Sequence, residues 1–287
     1  MGEIVMHFGV MMFVTDYSMS APELAVAAEE RGFESMWIPE HSHIPTSRET
    51  PFPGGGDLPK PYYDVMDPFI ALGAAAAVTK TIRLATGICL VIQRDPLQTA
   101  KEVATLDQIS GGRFIFGVGA GWNREEMADH GTDPKTRGRL MKERIEAMKV
   151  IWANEKAEYH GEFVDFDEMM TRPKPVQQPH PPIVVGGSFP HGAKRAIDLG
   201  DEWMPVGGRD ADVVDIKSQF RQMAAEAGRE PDSLGLSVYG APSDVDGNRR
   251  LADHGITRSV FRLPSETADT VLPLLDKNAE IMHQING

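Results

Sequence analysis

Short apolar runs and amphipathic stretches alternate along the chain with few interruptions. The run His7-Phe8-Gly9-Val10-Met11-Met12-Phe13-Val14 is continuous and of strand length. Residues 22–31 follow with Leu24, Ala27 and Ala28 on one helical face. Ser20 is placed to cap the first turn, and Gly32 sits just past the last. The alternation then repeats. Strands are expected at 33–39, 82–91, 113–119, 182–186, 202–206, 234–240 and 257–263. Helices are expected at 67–77, 95–109, 137–153, 192–199, 211–227, 248–254 and 267–285. Asp67-Pro68 and Asp95-Pro96 each open a helix with proline in the first turn, where its missing N–H costs nothing.

Near-continuous apolar strands imply burial on both faces, which parallel sheets require. Eight strands, each followed by a helix, predict an α/β chain folded as a (β/α)8 TIM barrel, one domain over residues 1–287. An open doubly wound sheet is the structural alternative. Two insertions break the short-loop rhythm. Residues 44–66, after strand two, are rich in proline, contain Gly54-Gly55-Gly56 and carry Tyr62 and Tyr63. Residues 155–181, after helix four, hold a hairpin pattern at 158–166 and a proline-rich tail. Long loops of this kind are lids, binding loops or disordered segments. The first lies on the side where barrel active sites are built.

Composition narrows the classes. With 287 residues, 41% hydrophobic and 25% charged, the chain can bury a sizeable core, which excludes a mostly disordered protein. Lys+Arg 29 against Asp+Glu 42 gives −13, which argues against nucleic acid or an anionic membrane as partner. The single cysteine, Cys89, excludes an internal disulfide and a Cys-rich zinc site, and is expected to be a buried small hydrophobe. No apolar run reaches the length of a membrane span, and the start has no signal-peptide pattern, so the expected address is cytoplasmic.

Candidate chemistry sits at the strand ends. Strand two closes Glu40-His41-Ser42-His43, and a carboxylate beside an imidazole suits proton transfer near neutral pH. The plainer alternative is a His that only hydrogen-bonds a neighbour. A metal site from Glu40, His41 and His43 is disfavoured, since no further ligand pair is evident. Thr86-Gly87-Ile88 lets a flat ring approach the backbone, or simply fills the barrel. Residues 117–123, Gly-Val-Gly-Ala-Gly-Trp-Asn, lack the long helix that a dinucleotide fingerprint needs. Their glycines fit either close approach to a ligand or a plain turn. Val185-Gly186-Gly187-Ser188 before a helix makes an anion site from backbone N–H groups and the helix dipole.

As an ordered set, these segments resemble the luciferase-like oxidoreductase superfamily over about residues 5–265. The insertion after strand two and the 117–123 run are most similar to the branch dependent on coenzyme F420, a deazaflavin. The resemblance implies a cofactor at the barrel mouth, a small-molecule substrate, a homodimer and, indirectly, an F420-reducing enzyme. It makes His41 the proton-transfer partner beside the reactive ring carbon, with Glu40, usually Asp in that branch, orienting or contacting the cofactor. A non-proline cis peptide would join Gly87 and Ile88, with backbone near Thr86, Gly87 and Ile88 pressing on one ring face. Ala120, Gly121 and Asn123 would contact the ring or ribityl chain, and Val185, Gly186, Gly187 and Ser188 the phosphate. Sugar dehydrogenases of the branch carry a proton-donating Glu after strand four. Here Trp122 stands there, with Glu125 and Glu126 further on, which argues against their mechanism and substrate. Arg48, Lys60, Arg94 and Arg124 are either contacts for a polyanionic cofactor tail or solvated charges. The expected activity is hydride transfer between a small organic substrate and F420. Alternatives are a monooxygenase using reduced flavin mononucleotide (FMN) from a separate flavin reductase, and a non-catalytic flavin-binding protein.

Overall fold

The computed structural model describes residues 6–208 and 212–287, and its apolar runs form the expected closed barrel. The chain runs β1 (His7–Met11), α1 (Ala21–Glu30), β2 (Ser35–Ile38), α2 (Pro61–Asp64), α3 (Pro68–Val78), β3 (Arg83–Thr86), α4 (Pro96–Ser110) and β4 (Phe114–Val118). It continues through α5 (Arg124–Asp129), α6 (Arg137–Ala153), β5 (Ala157–His160), β6 (Asp165–Met169), β7 (Ile183–Gly186) and α7 (His191–Leu199). The last part is β8 (Glu202–Met204), α8 (Val213–Glu226), β9 (Gly235–Tyr239), α9 (Val245–Asp253), β10 (Arg258–Arg262) and α10 (Ala268–Asn286). Around the barrel the order is β1-β10-β9-β8-β7-β4-β3-β2, every neighbour parallel. The helix expected from residue 211 is described from Val213; residue 211 lies outside the described residues.

Local signals act as their chemistry dictates. Ser20 and Glu23 form a reciprocal capping box on α1, Asp67 and Asp95 cap α3 and α4, and Gly111 closes α4 in the left-handed region. Several hydrogen-bonded ladders are shorter than the apolar runs. Met12, Val14, Cys89, Leu90 and Val91 lie past the strand ends yet remain buried. An apolar run reports burial, and burial here continues into the loops around the mouth.

Two layers of core result. The larger lies between barrel and helices; the smaller fills the lumen with Met11, Trp37, Ala85, Ile115, Val184, Met204 and Val260. Polar pairing closes the N-terminal end. The Arg258 guanidinium donates to Glu34 at 2.9 Å and Glu202 at 2.7 Å, and Glu202 also accepts from the Ser237 hydroxyl. Burial works against the Arg258 charge, but Glu202 and Glu34 outweigh it and raise its pKa. Burial alone would raise the Glu34 carboxyl; Arg258 outweighs it and holds Glu34 below the usual range.

The second insertion stays away from the mouth. The β5–β6 hairpin lies along α6, where Glu143 accepts from the backbone N–H groups of Glu162, Phe163 and Val164. Its tail binds the C-terminal ends of α4 and α6 through Gln177 to Asp107 and Lys174 to the Ile151 and Asn154 carbonyls.

Replacing Arg258 by Met strands two carboxylates at the barrel base. The variant is expected to lose about 3–5 kcal/mol of stability, read as a lower urea midpoint.

Candidate active site

The C-terminal end of β3 turns inward. The Gly87–Ile88 peptide bond is cis, at the position the resemblance implied. Ile88 crosses the ring of strands and lays its side chain over β4 and β7. A Cβ on Gly119 would stand 2.1 Å from Ile88 Cδ1, and one on Gly186 would stand 3.1 Å from Ile88 Cγ2. A Cβ on Gly117 would stand 2.0 Å from the Thr86 carbonyl oxygen. These glycines therefore make room for the chain itself. The surface they create is Ile88, half-buried, with its free side toward the mouth.

His41 follows β2, the barrel neighbour of β3, and its carboxylate partner is Glu126. Nδ1 of His41 lies 2.8 Å from Glu126 Oε2, with both side chains buried. Glu126 Oε1 also accepts from the Ser42 N–H at 3.2 Å. A carboxylate only accepts, so Nδ1 carries the hydrogen and Nε2 presents its lone pair. The Trp122 indole N–H is 3.4 Å from Nε2. Glu40, expected to orient or contact the cofactor, is occupied elsewhere. It accepts from the Leu90 N–H at 2.6 Å and from Arg94 Nε at 2.5 Å. Arg94 also binds Asp67 and Glu102. Glu40 thereby pins the chain just after Ile88. Cys89 is fully buried beneath it; burial, then Glu40, pushes its thiol well above the usual range, so it stays a neutral filler. His43 turns to Asp129 at 2.9 Å, so Glu40, His41 and His43 each face a different partner.

The first insertion folds over the mouth as an aromatic cover. Tyr62 lies 4.4 Å from Phe13, 5.2 Å from Phe52 and 5.4 Å from His41, ring centre to ring centre. Phe52 meets Trp122 at 5.9 Å. The loop is tied to the start of α5 by the Thr50 N–H, which donates to Glu125 at 2.7 Å.

Across the barrel, Gly186, Gly187 and Ser188 are accessible at the end of β7. The N-cap of α7, Pro190, supplies no side-chain cap, so the first N–H groups of the helix lack a side-chain acceptor there. Arg195 lies against Gly187, and its Nε is buried with no hydrogen-bond partner. Burial, then the Arg137 charge, holds the Arg195 guanidinium below its usual value. A half-buried cation thus lies beside the start of α7, where the Gly192 N–H already donates to the Ser188 carbonyl at 2.6 Å.

This geometry has relatives. Residues 6–252 match the family model described as luciferase-like monooxygenase. The chain belongs to that family. It is 38% identical over 280 residues to the uncharacterized protein Rv0953c of Mycobacterium tuberculosis, covering 96% of this chain and 98% of the other. In structure it resembles the monooxygenase RslO1 of Streptomyces bottropensis, with TM-score 0.75, 22% identity and 97% and 99% of the two chains covered. It also resembles the coenzyme F420-dependent tetrahydromethanopterin reductase of Methanopyrus kandleri, with TM-score 0.74, 18% identity and 98% and 99% covered.

Within this luciferase-like frame, several of the expected contact residues have side-chain partners in the fold itself. The Thr86 side chain is buried and donates to the Gly117 carbonyl at 2.7 Å. Asn123 is buried as the N-cap of α5, accepting from the Glu126 N–H, and so positions the partner of His41. Val185 is fully buried on the side facing the helices. Ala120 is buried; Gly121, at φ 62, makes the turn that leads to Trp122. Lys60 is paired with Asp64 at 2.6 Å and Arg94 with three carboxylates, while Arg124 is exposed. Neither Glu126 as the partner of His41 nor Arg195 stands out in the sequence. Arg195 carries one signal all the same: a cation on the helix that follows a Gly-Gly-Ser loop.

Gly117→Ala drives a methyl into backbone, whereas Gly119→Ala meets only the tip of Ile88. The first is expected to cost about 3 kcal/mol and the second about 1 kcal/mol, in chemical denaturation. Equal costs would contradict the notch geometry.

Proposed function

We propose that this protein is an oxidoreductase that exchanges hydride between a small organic substrate and the deazaflavin coenzyme F420. The observation that carries this reading is His41: a buried imidazole, oriented by Glu126, at a barrel mouth whose floor is Ile88. Bound there, the deazaflavin supplies a ring carbon that takes or gives hydride.

The residues present fit such a group. Gly186, Gly187, Ser188, the first turn of α7 and Arg195 would hold its phosphate, and the orphaned Arg195 Nε is the donor awaiting an acceptor. Ile88 offers a half-buried apolar surface to one ring face. Glu126 fixes the imidazole so that Nε2 exchanges the proton that accompanies hydride transfer at a hydroxyl or carbonyl group. Tyr62 and Phe52 shield this exchange from water.

A homodimer belongs to the same proposal. α3 is apolar on every side, and Ile70 and Val78 on α3 and Leu97 and Ile109 on the adjacent α4 are exposed. A second copy would cover this face. Light scattering is expected to give a dimer, and Ile70→Lys to shift it toward monomer.

The functional test is a fluorescence titration with F420 and, separately, FMN. F420 is expected to bind at least about tenfold more tightly. Arg195→Gln should weaken that binding about tenfold, a typical effect of losing one charge-assisted contact. His41→Ala should leave affinity nearly unchanged and lower turnover about 100-fold or more. Preference for FMN would overturn the deazaflavin reading in favour of a two-component monooxygenase. Tight binding with no turnover on any substrate panel would favour a flavin-binding protein.

A further inference from the structure

The lumen-facing side of β10 carries a repeated cation. Residues alternate along a strand, so Arg258, Val260 and Arg262 share one side, while Phe261 belongs to the outer core. Arg258 closes the barrel base with its two carboxylates. Arg262, two steps higher, is at the mouth. Its guanidinium lies 5.9 Å from the Tyr239 ring centre and packs against Gly240. Tyr239 in turn reaches across the lumen, because a Cβ on Gly87 would stand 3.4 Å from its ring. Arg262 is thus separated from the Gly87–Ile88 floor by one aromatic ring.

The Arg262 side chain is exposed, and no ion pair ties it to the fold among the described residues. Among the described residues, Arg94 has three carboxylate partners and Arg258 two, but no carboxylate pairs with Arg262. In a chain of net charge −13, a mouth cation left free is a choice against the prevailing sign. The lid brings a second one. The Arg48 guanidinium lies 5.9 Å from the Trp122 ring centre, with its Nη1 buried and without a partner.

Position separates Arg262 from the phosphate loop. In the barrel order, β10 lies three strands from β7 and four from β4, on the far side of the ring from Gly119. A cofactor phosphate at Ser188 and Arg195 leaves Arg262 for another anion. Aromatic rings accompany both groups: Tyr62 lies against His41 and Phe13, and Tyr239 lies against Arg262. A single planar guanidinium matches a single carboxylate by its paired N–H donors, and aromatic walls match an apolar body.

We propose that the substrate is a carboxylic acid with an apolar or aromatic body, its carboxylate held by Arg262 and its reacting carbon beside His41. This rests on the reading of the mouth as a deazaflavin oxidoreductase site, and it adds the substrate class.

The test is calorimetric titration of cofactor-loaded and cofactor-free protein with benzoate, phenylacetate and 3-phenylpropionate, each beside its primary amide. At least one acid is expected to bind about tenfold more tightly than its amide, with affinity falling as salt rises. Arg262→Gln should abolish the preference and Arg262→Lys retain part of it, with an unchanged melting temperature showing that both variants fold. Equal binding of acid and amide throughout the panel, or no binding of any acid at millimolar concentration, overturns the proposal. Loss of the preference in Arg48→Gln but not in Arg262→Gln overturns the assignment to Arg262. The two readings fail separately. If F420 does not bind while cofactor-free protein keeps an Arg262-dependent acid preference, the deazaflavin reading falls and the anion site stands. If F420 binds and the acid preference is absent, only this proposal falls.

Discussion

The mouth of this barrel depends on one close approach, the crossing of Ile88 over β4 and β7. The chain leaves β3 and immediately turns into the lumen, where the Thr86 carbonyl and the Ile88 side chain occupy space that side chains at 117, 119 and 186 would otherwise fill. Three glycines on or just past two neighbouring strands answer two residues at the end of a third: Gly117 faces the Thr86 carbonyl, and Gly119 and Gly186 face Ile88. Their absence of a Cβ allows van der Waals contact at distances no other residue permits. Glu40 holds the next turn by accepting from the Leu90 N–H, and Arg94 fixes Glu40 in turn. The floor of the mouth is therefore a product of packing among the ends of four strands.

Electrostatics then divides the mouth. Two carboxylates that are adjacent to His41 in sequence or space take different roles. Glu40 faces a guanidinium and a backbone N–H, whereas Glu126 faces the imidazole and sets which nitrogen carries the hydrogen, leaving Nε2 to accept from Trp122. The cations divide likewise. Arg94 and Arg258 are neutralised within the fold, whereas Arg195 and Arg262 lie on opposite flanks of the mouth without carboxylate partners among the described residues. The two differ in solvation: Arg195 Nε is buried without a partner, which costs free energy until an acceptor reaches it, whereas the Arg262 side chain is exposed to solvent.

Much of this was legible in one dimension. Apolar runs at strand length, proline in first turns and Ser20 or Asp caps specify eight β/α units, because each signal acts within a few residues. The cis peptide position followed from family resemblance, not from any local pattern. The partners that Thr86, Asn123 and Val185 find within the fold were not legible, since strand alternation and helix capping set them. The pairing of His41 was not legible either. Glu40 is its neighbour in the chain, but consecutive residues at a strand end point to opposite sides.

By itself, the sequence determined the barrel, its insertions and the strand ends where chemistry could be placed, through periodicity and short-range capping. Only the tertiary structure decided which carboxylate meets His41, which glycines admit Ile88, and which arginines remain free. Those outcomes join residues far apart in the chain, 85 positions for His41 and Glu126, and they follow from side-chain direction and competition for partners in three dimensions.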